Sequence, residues 1–324
     1  MIITRTPYRV SMFGGGTDHP KWFKENGGSV VSFSINKYCY INLRELPPFF
    51  SHKFRVAYSK VEVTQTAEDI LHPAVKKAFT KYANNLKLEL HHHGDLPAQS
   101  GVGSSSAFAV GLIKSLFAIN NLEIDNLEIA KEAITFEQRD LLETVGSQDQ
   151  IACAVGGINH IEFQRDEMWK VNKINLAAKN LEDLESRIVL IYTGIPRLSS
   201  DISNGLLDKL ETKSKLMIRT KELAEEFNQI LLNNNDLNYV TDMLVESWEI
   251  KKKLNPYSVT NTLEDFYQMA IRKGAKAGKI LGAGGGGFFL FWVDPNSREN
   301  FIENMNSFVH VPVKIDFEGC TQVL

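Results

Sequence analysis

One stretch constrains this chain more than any other: Pro97-Ala98-Gln99-Ser100-Gly101-Val102-Gly103-Ser104-Ser105-Ser106-Ala107. Upstream, Leu86-Lys87-Leu88-Glu89-Leu90 alternates as a strand does; downstream, Phe108, Ile113, Leu116 and Phe117 recur at helical spacing as far as Asn120. A strand must therefore pass through a tight Gly/Ser loop straight into a helix. That turn gathers unpaired backbone N–H groups and the positive end of a helix dipole at one point, which suits a phosphate. Gly101 and Gly103 let the backbone bend and approach a ligand closely. A Walker loop would need a lysine where Ser104 stands, and a dinucleotide fingerprint would need a third glycine where Ser106 stands. Taken alone, the loop reads equally as an anion cradle and as a helix capped by serines.

The remaining chain narrows the choice. At 324 residues it has room for two domains, and its composition, 43% hydrophobic and 23% charged, is that of an ordinary globular protein. A net charge of −3 gives no general attraction to nucleic acid or to anionic membrane. Cys39, Cys153 and Cys320 stand too far apart for a metal or redox motif, and no leader or long apolar run is visible, so a reduced cytoplasm is expected. His91-His92-His93 falls at a strand end inside the chain and reads as structure rather than as a metal tract.

In chain order, Ile2 to Met12 is strand-like and runs into Phe13-Gly14-Gly15-Gly16-Thr17-Asp18. Three consecutive glycines make a loop that delivers Asp18, either to a ligand or as a cap for a helix over Pro20 to Lys24. Strands are expected over 29–35, 37–43 and within 54–63, and a helix over 73–82. The spacing predicts one long helix from Leu127 to Thr144, carrying Glu137. Asp149, in Gly146-Ser147-Gln148-Asp149-Gln150, opens an apolar helix and has the ordinary reading of an N-cap or first-turn acid. Strands follow at 158–163, 169–174 and 187–192, with a domain boundary placed near 190. Beyond it come helices over 200–213, 217–233, 237–253 and 263–273, then the glycine run 282–287, a strand over 288–293, a helix over 297–306 and a last strand over 311–316. The second half is α+β.

Three of these stretches together resemble the GHMP kinases: Pro7-Tyr8-Arg9 with its glycine run, Pro97-x-x-x-Gly101-Val102-Gly103-Ser104-Ser105-Ser106-Ala107, and Gly282-Ala283-Gly284-Gly285-Gly286-Gly287. The likeness spans residues 3 to 290. It implies an α/β plus α+β protein: a ribosomal-S5-like N-terminal domain (1–190) and a ferredoxin-like C-terminal domain (191–324), with the site between them. Within the family, Phe13-Gly14-Gly15-Gly16-Thr17-Asp18, Gly146 to Gln150 and Thr193-Gly194-x-x-Arg197 are similar to the sugar 1-kinases. The heptose 7-phosphate kinases that feed nucleotide-activated heptose synthesis come first and the L-fucose kinases second.

The resemblance implies ATP and Mg²⁺ as cofactors and a sugar phosphate as substrate. Pro97, Ser100, Gly101, Val102, Gly103, Ser104, Ser105 and Ser106 would hold ATP, with Ser105 and Glu137 on the metal. Glu137 lies twelve residues before Asp149, as in galactokinases; the register of mevalonate kinases would give Gln138 instead, which lacks an anionic oxygen for the metal. Asp149 would be the base and Arg9 the cation that stabilises developing charge. Gly15, Gly16, Thr17, Asp18, Gly285 and Arg197 would meet the sugar, Arg197 being the first candidate for its phosphate ahead of Lys273 and Lys276. A non-catalytic sugar sensor on this fold would have lost such residues, and all are present. No nucleic-acid or membrane partner is implied, and the oligomeric state, a homodimer included, is left open.

Overall fold

The computed structural model of the protein describes residues 1–195, 213–233, 236–255 and 258–324. Its framework begins with β1 (Ile2–Phe13), whose second half is buried throughout and which pairs along nearly its whole length with β2 (Gly28–Glu45). Between them lie the glycine loop and α1 (Pro20–Asn26). β2 is one 18-residue strand rather than the two expected over 29–35 and 37–43. Its irregularity is absorbed by a register shift opposite Pro7 and Tyr8, while partners on both sides hold it continuous.

β3 (Phe54–Ala57), β4 (Val61–Thr64), α2 (Pro73–Tyr82) and β5 (Leu88–Gly94), with β12 (Thr321–Gln322) from the chain's end, complete the path β12-β1-β2-β5-β3-β4, with a hairpin of β6 (Ile158–Phe163) and β7 (Trp169–Ile174) branching off β2. All pairings are antiparallel except β3 with β5. α3 (Ser104–Ile119) lies on this sheet, its first two and a half turns almost wholly buried. α4 (Asn126–Thr135) and α5 (Gln148–Val155) pack beside it. The His91–His93 tract is the end of β5. His91 joins Glu89 and Arg55, and His92 sits edge-on to Phe108, so these rings are structural.

After α6 (Ala178–Arg187), which no periodicity announced, β8 (Ile188–Tyr192) opens a second sheet of order β11-β8-β10-β9. Its strands are β9 (Ala277–Ile280), β10 (Phe288–Trp292) and β11 (Val309–Val311). In chain order the arrangement is 4-1-3-2 with helices after the first and third strands, the βαββαβ pattern of a ferredoxin-like unit. Its core is aromatic: Phe266, Phe289, Phe291, Phe301 and Trp248 pack together. α7 (Ser214–Leu232), α8 (Val240–Leu254) and α9 (Asn261–Arg272) lie between β8 and β9, and α10 (Arg298–Asn304) between β10 and β11. The helix expected over 200–213 falls outside the described residues except at its end.

The two sheets are not separate bodies. Phe227 of α7 packs on Phe13 at 5.0 Å, and Met217, Leu223, Leu244 and Leu254 join the large core of the first sheet. A division at residue 190 falls inside β8, and the chain end returns to the first sheet as β12 (Thr321–Gln322) beside β1. Of the strand expected over 311–316, Val311 ends β11 and Ile315 forms a bridge to Ile35; the rest is irregular. No helix among the described residues is long and apolar enough to cross a membrane.

Candidate active site

A cavity of about 280 Å³ opens where the first sheet, α7, α8 and the second sheet meet. The loop from Gln99 to Gly103 and the start of α3 form one wall. Gly103 is left-handed at φ 74°, and no side chain caps the helix it begins. Its serines are engaged elsewhere: Ser104 Oγ accepts from the Gln99 N–H at 3.1 Å, while Ser105 and Ser106 donate to Glu137 at 3.0 and 2.8 Å. The capped-helix reading of the sequence therefore fails, and the helix N-terminus faces the cavity with its backbone donors.

Glu137 reaches those serines because the long helix expected over 127–144 is interrupted. α4 ends at Thr135, a π turn runs from Phe136 to Asp140, and Leu142 is left-handed at φ 56°. The extra residue in a π turn swings Glu137 inward, where it is fully buried and also accepts from Gln150 Nε2. Burial pushes its carboxyl up to about 7, against the hydrogen bonds from Ser106, Gln150 and Ser105. Gln138 turns the other way, donating to Val145 O at 3.2 Å and to Ser147 Oγ at 3.0 Å.

Against the loop lies Arg9, on β1 and 4% exposed. Its Nε and Nη2 donate to the two oxygens of Asp149 at 2.7 and 2.5 Å, and its Nη1 donates to Gly101 O at 2.5 Å. Burial works against the guanidinium charge; the adjoining Asp149 carboxylate more than offsets this, and the pKa of Arg9 is raised. Asp149 is the second residue of α5, after Ser147 at the cap position, so its carboxylate is not a helix cap.

Asp18 also lines the cavity, but its carboxylate accepts from Gly16 N at 2.9 Å, Gln148 N at 3.2 Å and Gln148 Nε2 at 3.0 Å. The fit is close: a Cβ at Gly146 would lie 1.9 Å from Asp18 Oδ2. Asp18 thus fastens the segment that carries Asp149 to the first glycine loop.

The candidates named from sequence divide by position. Arg9, Gly15, Gly16, Asp18, Gly101, Gly103, Ser104, Ser105, Ser106, Glu137 and Asp149 share the cavity wall. Pro97, Ser100, Val102, Thr17 and Gly285 stand behind it. Thr17 is wholly buried and bonds Gly14 O and Ser29 O; Val102 O accepts from Arg9 N; Ser100 Oγ donates to Pro97 O. Gly285 N donates to Ser258 O, and the third glycine run serves close packing: a Cβ at Gly287 would lie 2.3 Å from Ser100 O, and one at Gly101 2.6 Å from Leu281 O. Lys273 is tied to Asn304 O, and neither it nor Lys276 lines the cavity. Arg197 lies outside the described residues.

Sequence reasoning missed Ser11, Gln148, Gln150 and Lys279, all on the wall. Only Lys279 carried a signal: it is the one charged residue from Ala277 to Val293. Ser11 Oγ, Gln148 Oε1 and Gln150 Oε1 are buried without a hydrogen-bond partner, polar atoms a ligand would satisfy.

A glycine loop at a helix start, with a buried carboxylate and an arginine–aspartate pair against it on one cavity, is an arrangement suited to phosphoryl transfer. The chain matches the GHMP kinases N terminal domain over residues 69–157 and the GHMP kinases C terminal domain over 223–311. It is 32% identical to the D-glycero-alpha-D-manno-heptose 7-phosphate kinase of Campylobacter jejuni over 93% of this chain and 92% of that one. It is 24% identical to the bifunctional fucokinase/GDP-fucose pyrophosphorylase of Arabidopsis thaliana, over 95% of this chain and 31% of that protein. Its fold is also that of a D-glycero-D-manno-heptose 1-phosphate kinase from Bacteroides thetaiotaomicron, with TM-score 0.82, 24% identity, and 100% and 99% of the two chains covered. The chain belongs to the GHMP kinases, and it is a kinase with the two-part architecture of that family.

Proposed function

We propose that this kinase transfers the γ-phosphoryl group of ATP to the anomeric C1 hydroxyl of a D-glycero-D-manno-heptose 7-phosphate, giving the 1,7-bisphosphate. The observation that carries this reading is the convergence of Arg9, Asp149, Glu137 and the Gly101–Ser106 loop on one cavity, in a chain 32% identical to a heptose 7-phosphate kinase over nearly all of both lengths. The N–H groups at the start of α3 hold the phosphates of ATP. Asp149, oriented by two hydrogen bonds from Arg9, accepts the proton of the sugar hydroxyl. Arg9, released in part as that proton arrives, stabilises the charge spreading over the transferred group. Asp18 has three of its roughly four acceptor positions filled, leaving one for a sugar hydroxyl.

The donor set fits Mg²⁺. Ser105 Oγ and a Glu137 carboxylate at hydrogen-bond distance from each other are hard oxygens, and Mg²⁺ is bound through one or two such groups together with substrate phosphates. When bound, the cation neutralises charge on the β- and γ-phosphates. Burial raises the pKa of Glu137, and a bound cation would favour its ionised form. Arg197 is kept as a candidate for the 7-phosphate on its sequence context alone.

The second reading is an L-fucose 1-kinase, favoured by the likeness to the plant fucokinase. A coupled assay of ADP release over heptose 7-phosphate, free heptose, L-fucose and galactose separates the two. Heptose 7-phosphate should be the fastest substrate by at least tenfold in kcat/KM; faster turnover of L-fucose overturns the substrate and leaves the kinase chemistry standing.

A further inference from the structure

Lys279 is the third residue of the four-residue strand β9, which is buried at every position. Strand alternation sends Gly278 and Ile280 toward the aromatic core of the second sheet and sets Ala277, Lys279 and Leu281 toward the first sheet, where Ala277 and Leu281 join its core. Lys279 is 8% exposed, and the cavity is what its side chain lines. Its Nζ donates to Met12 O at 3.0 Å and stands 6.0 Å from the Phe13 ring centre. Among the described residues no carboxylate lies within ion-pair distance of it.

An ammonium has three donors, and one is used here. Lysine is almost never buried this far unless it is paired, because desolvating the charge costs several kcal/mol that one carbonyl does not return. Arg9, the neighbouring cation, makes matters worse: burial first and then Arg9 bring the Lys279 pKa down to about 8. Asp149 does not relieve it: its carboxylate pairs with Arg9 and forms no ion pair with Lys279. Ser11, one residue before Met12, lines the same cavity with a buried hydroxyl that has no partner. Where the two sheets meet, the cavity thus presents two idle N–H donors from Lys279 on β9 and an idle O–H donor from Ser11 on β1, beside a surplus positive charge.

We propose that Lys279, with Ser11 beside it, binds a phosphate group inside the cleft. This rests on the kinase reading above, and it adds a phosphate-binding cation that none of the three glycine motifs contains. The phosphate has two sources there, the γ-phosphate of the nucleotide and the phosphate of the sugar.

Calorimetric titration of the full chain separates them. Wild type, Lys279→Met, Lys279→Arg and Ser11→Ala are each titrated with ATP, ADP, heptose 7-phosphate and free heptose. Lys279→Met should bind the ligand that carries the contacted phosphate at least tenfold more weakly, with ADP or free heptose, its counterpart without that phosphate, changed less than threefold. Lys279→Arg should recover most of the loss, and Ser11→Ala should lose about threefold toward the same ligand. Because methionine removes a buried charge at similar volume, the melting temperature of Lys279→Met should not fall. Equal weakening of all four ligands with a lower melting temperature would mean that Lys279 only straps β9 to β1, and the proposal fails. Wild-type affinity for all four in Lys279→Met, or loss in Ser11→Ala alone, overturns it as well. Wild type that ignores heptose 7-phosphate, while Lys279→Met still separates ATP from ADP, sinks the heptose reading and upholds Lys279.

Discussion

The two sides of the cleft are finished to different degrees. On the first-sheet side every charged group already has its partner within the protein: Arg9 with Asp149, Glu137 with Ser105, Ser106 and Gln150, Asp18 with Gly16 and Gln148. On the second-sheet side Lys279 has one carbonyl. The first side is preorganised, so its groups need not reorient when charge develops, which is where most electrostatic rate enhancement arises. The second side holds a charge that only a ligand would complete. The contrast also explains the third glycine run. Its glycines bring two backbones together at Ser100 and Leu281, and in doing so they set the distance between a finished wall and an unfinished one.

The strongest way to break this comparison is to disturb the first side at its centre. Asp149→Asn keeps the shape and one acceptor for Arg9 but removes the proton acceptor. Turnover should fall by about two to four orders of magnitude, with ATP affinity by calorimetry little changed. Near-normal turnover would show that Asp149 serves only to neutralise Arg9.

Glu137→Gln comes next. It should weaken Mg²⁺-dependent ATP binding and lower turnover by about tenfold to a hundredfold, the range seen when a metal's immediate environment is damaged. Gln138→Ala should do far less, because Gln138 faces the 145–147 loop. The reverse ranking, read from titrations of activity against Mg²⁺, would move the metal site one residue along the chain.

Preorganisation itself is tested at Gly146. Gly146→Ala forces a methyl to within 1.9 Å of Asp18 Oδ2 unless the loop yields, and yielding displaces the segment that leads to Asp149. We expect kcat to drop about tenfold, as for a small misplacement of a reacting group, with the Michaelis constant for ATP unchanged. Unaltered kcat would mean that the clamp between Asp18 and the 146–148 segment positions nothing that matters.

The smallest effect lies outside the cleft and concerns stability alone. His92 and His72 pack on Phe108 at 5.0 and 5.1 Å; burial, then the neighbouring His72 and His93, bring the His92 pKa down to about 4, and burial lowers that of His72 against the pull of Glu62. Between about pH 6.5 and 4 the unfolded chain therefore takes up protons that the folded chain refuses, so stability falls as pH falls through this window and is fully present above it. Denaturant melts should show His92→Gln losing part of that acid sensitivity, with activity at neutral pH preserved. A variant as acid-sensitive as wild type would place the effect elsewhere.

Much of the site was legible because it depends on local chemistry. The strand–loop–helix around Gly101 follows from alternation, two glycines and a helical repeat within 35 residues, 86–120. The three glycine motifs, taken together, led to the family. What failed did so where distant parts of the chain intervene. The helix over 127–144 looked continuous because periodicity cannot register one inserted residue, yet that π turn is what delivers Glu137 to Ser105. The protein partners of Asp18 and Gly285 were equally out of reach of any local pattern, since Gln148 and Ser258 lie 130 and 27 residues away.

By itself, then, the sequence determined most of the elements and which residue types could perform phosphoryl transfer, since both rest on spacing along a few turns or strands. Only the tertiary structure decided which of those residues face one cavity and which are already satisfied. Pairing is a property of two distant groups: whether Arg9 finds Asp149, and whether Lys279 finds no carboxylate, depends on how β1, α5 and β9 are brought together. The free energy of a buried charge follows from that assembly and from no local pattern.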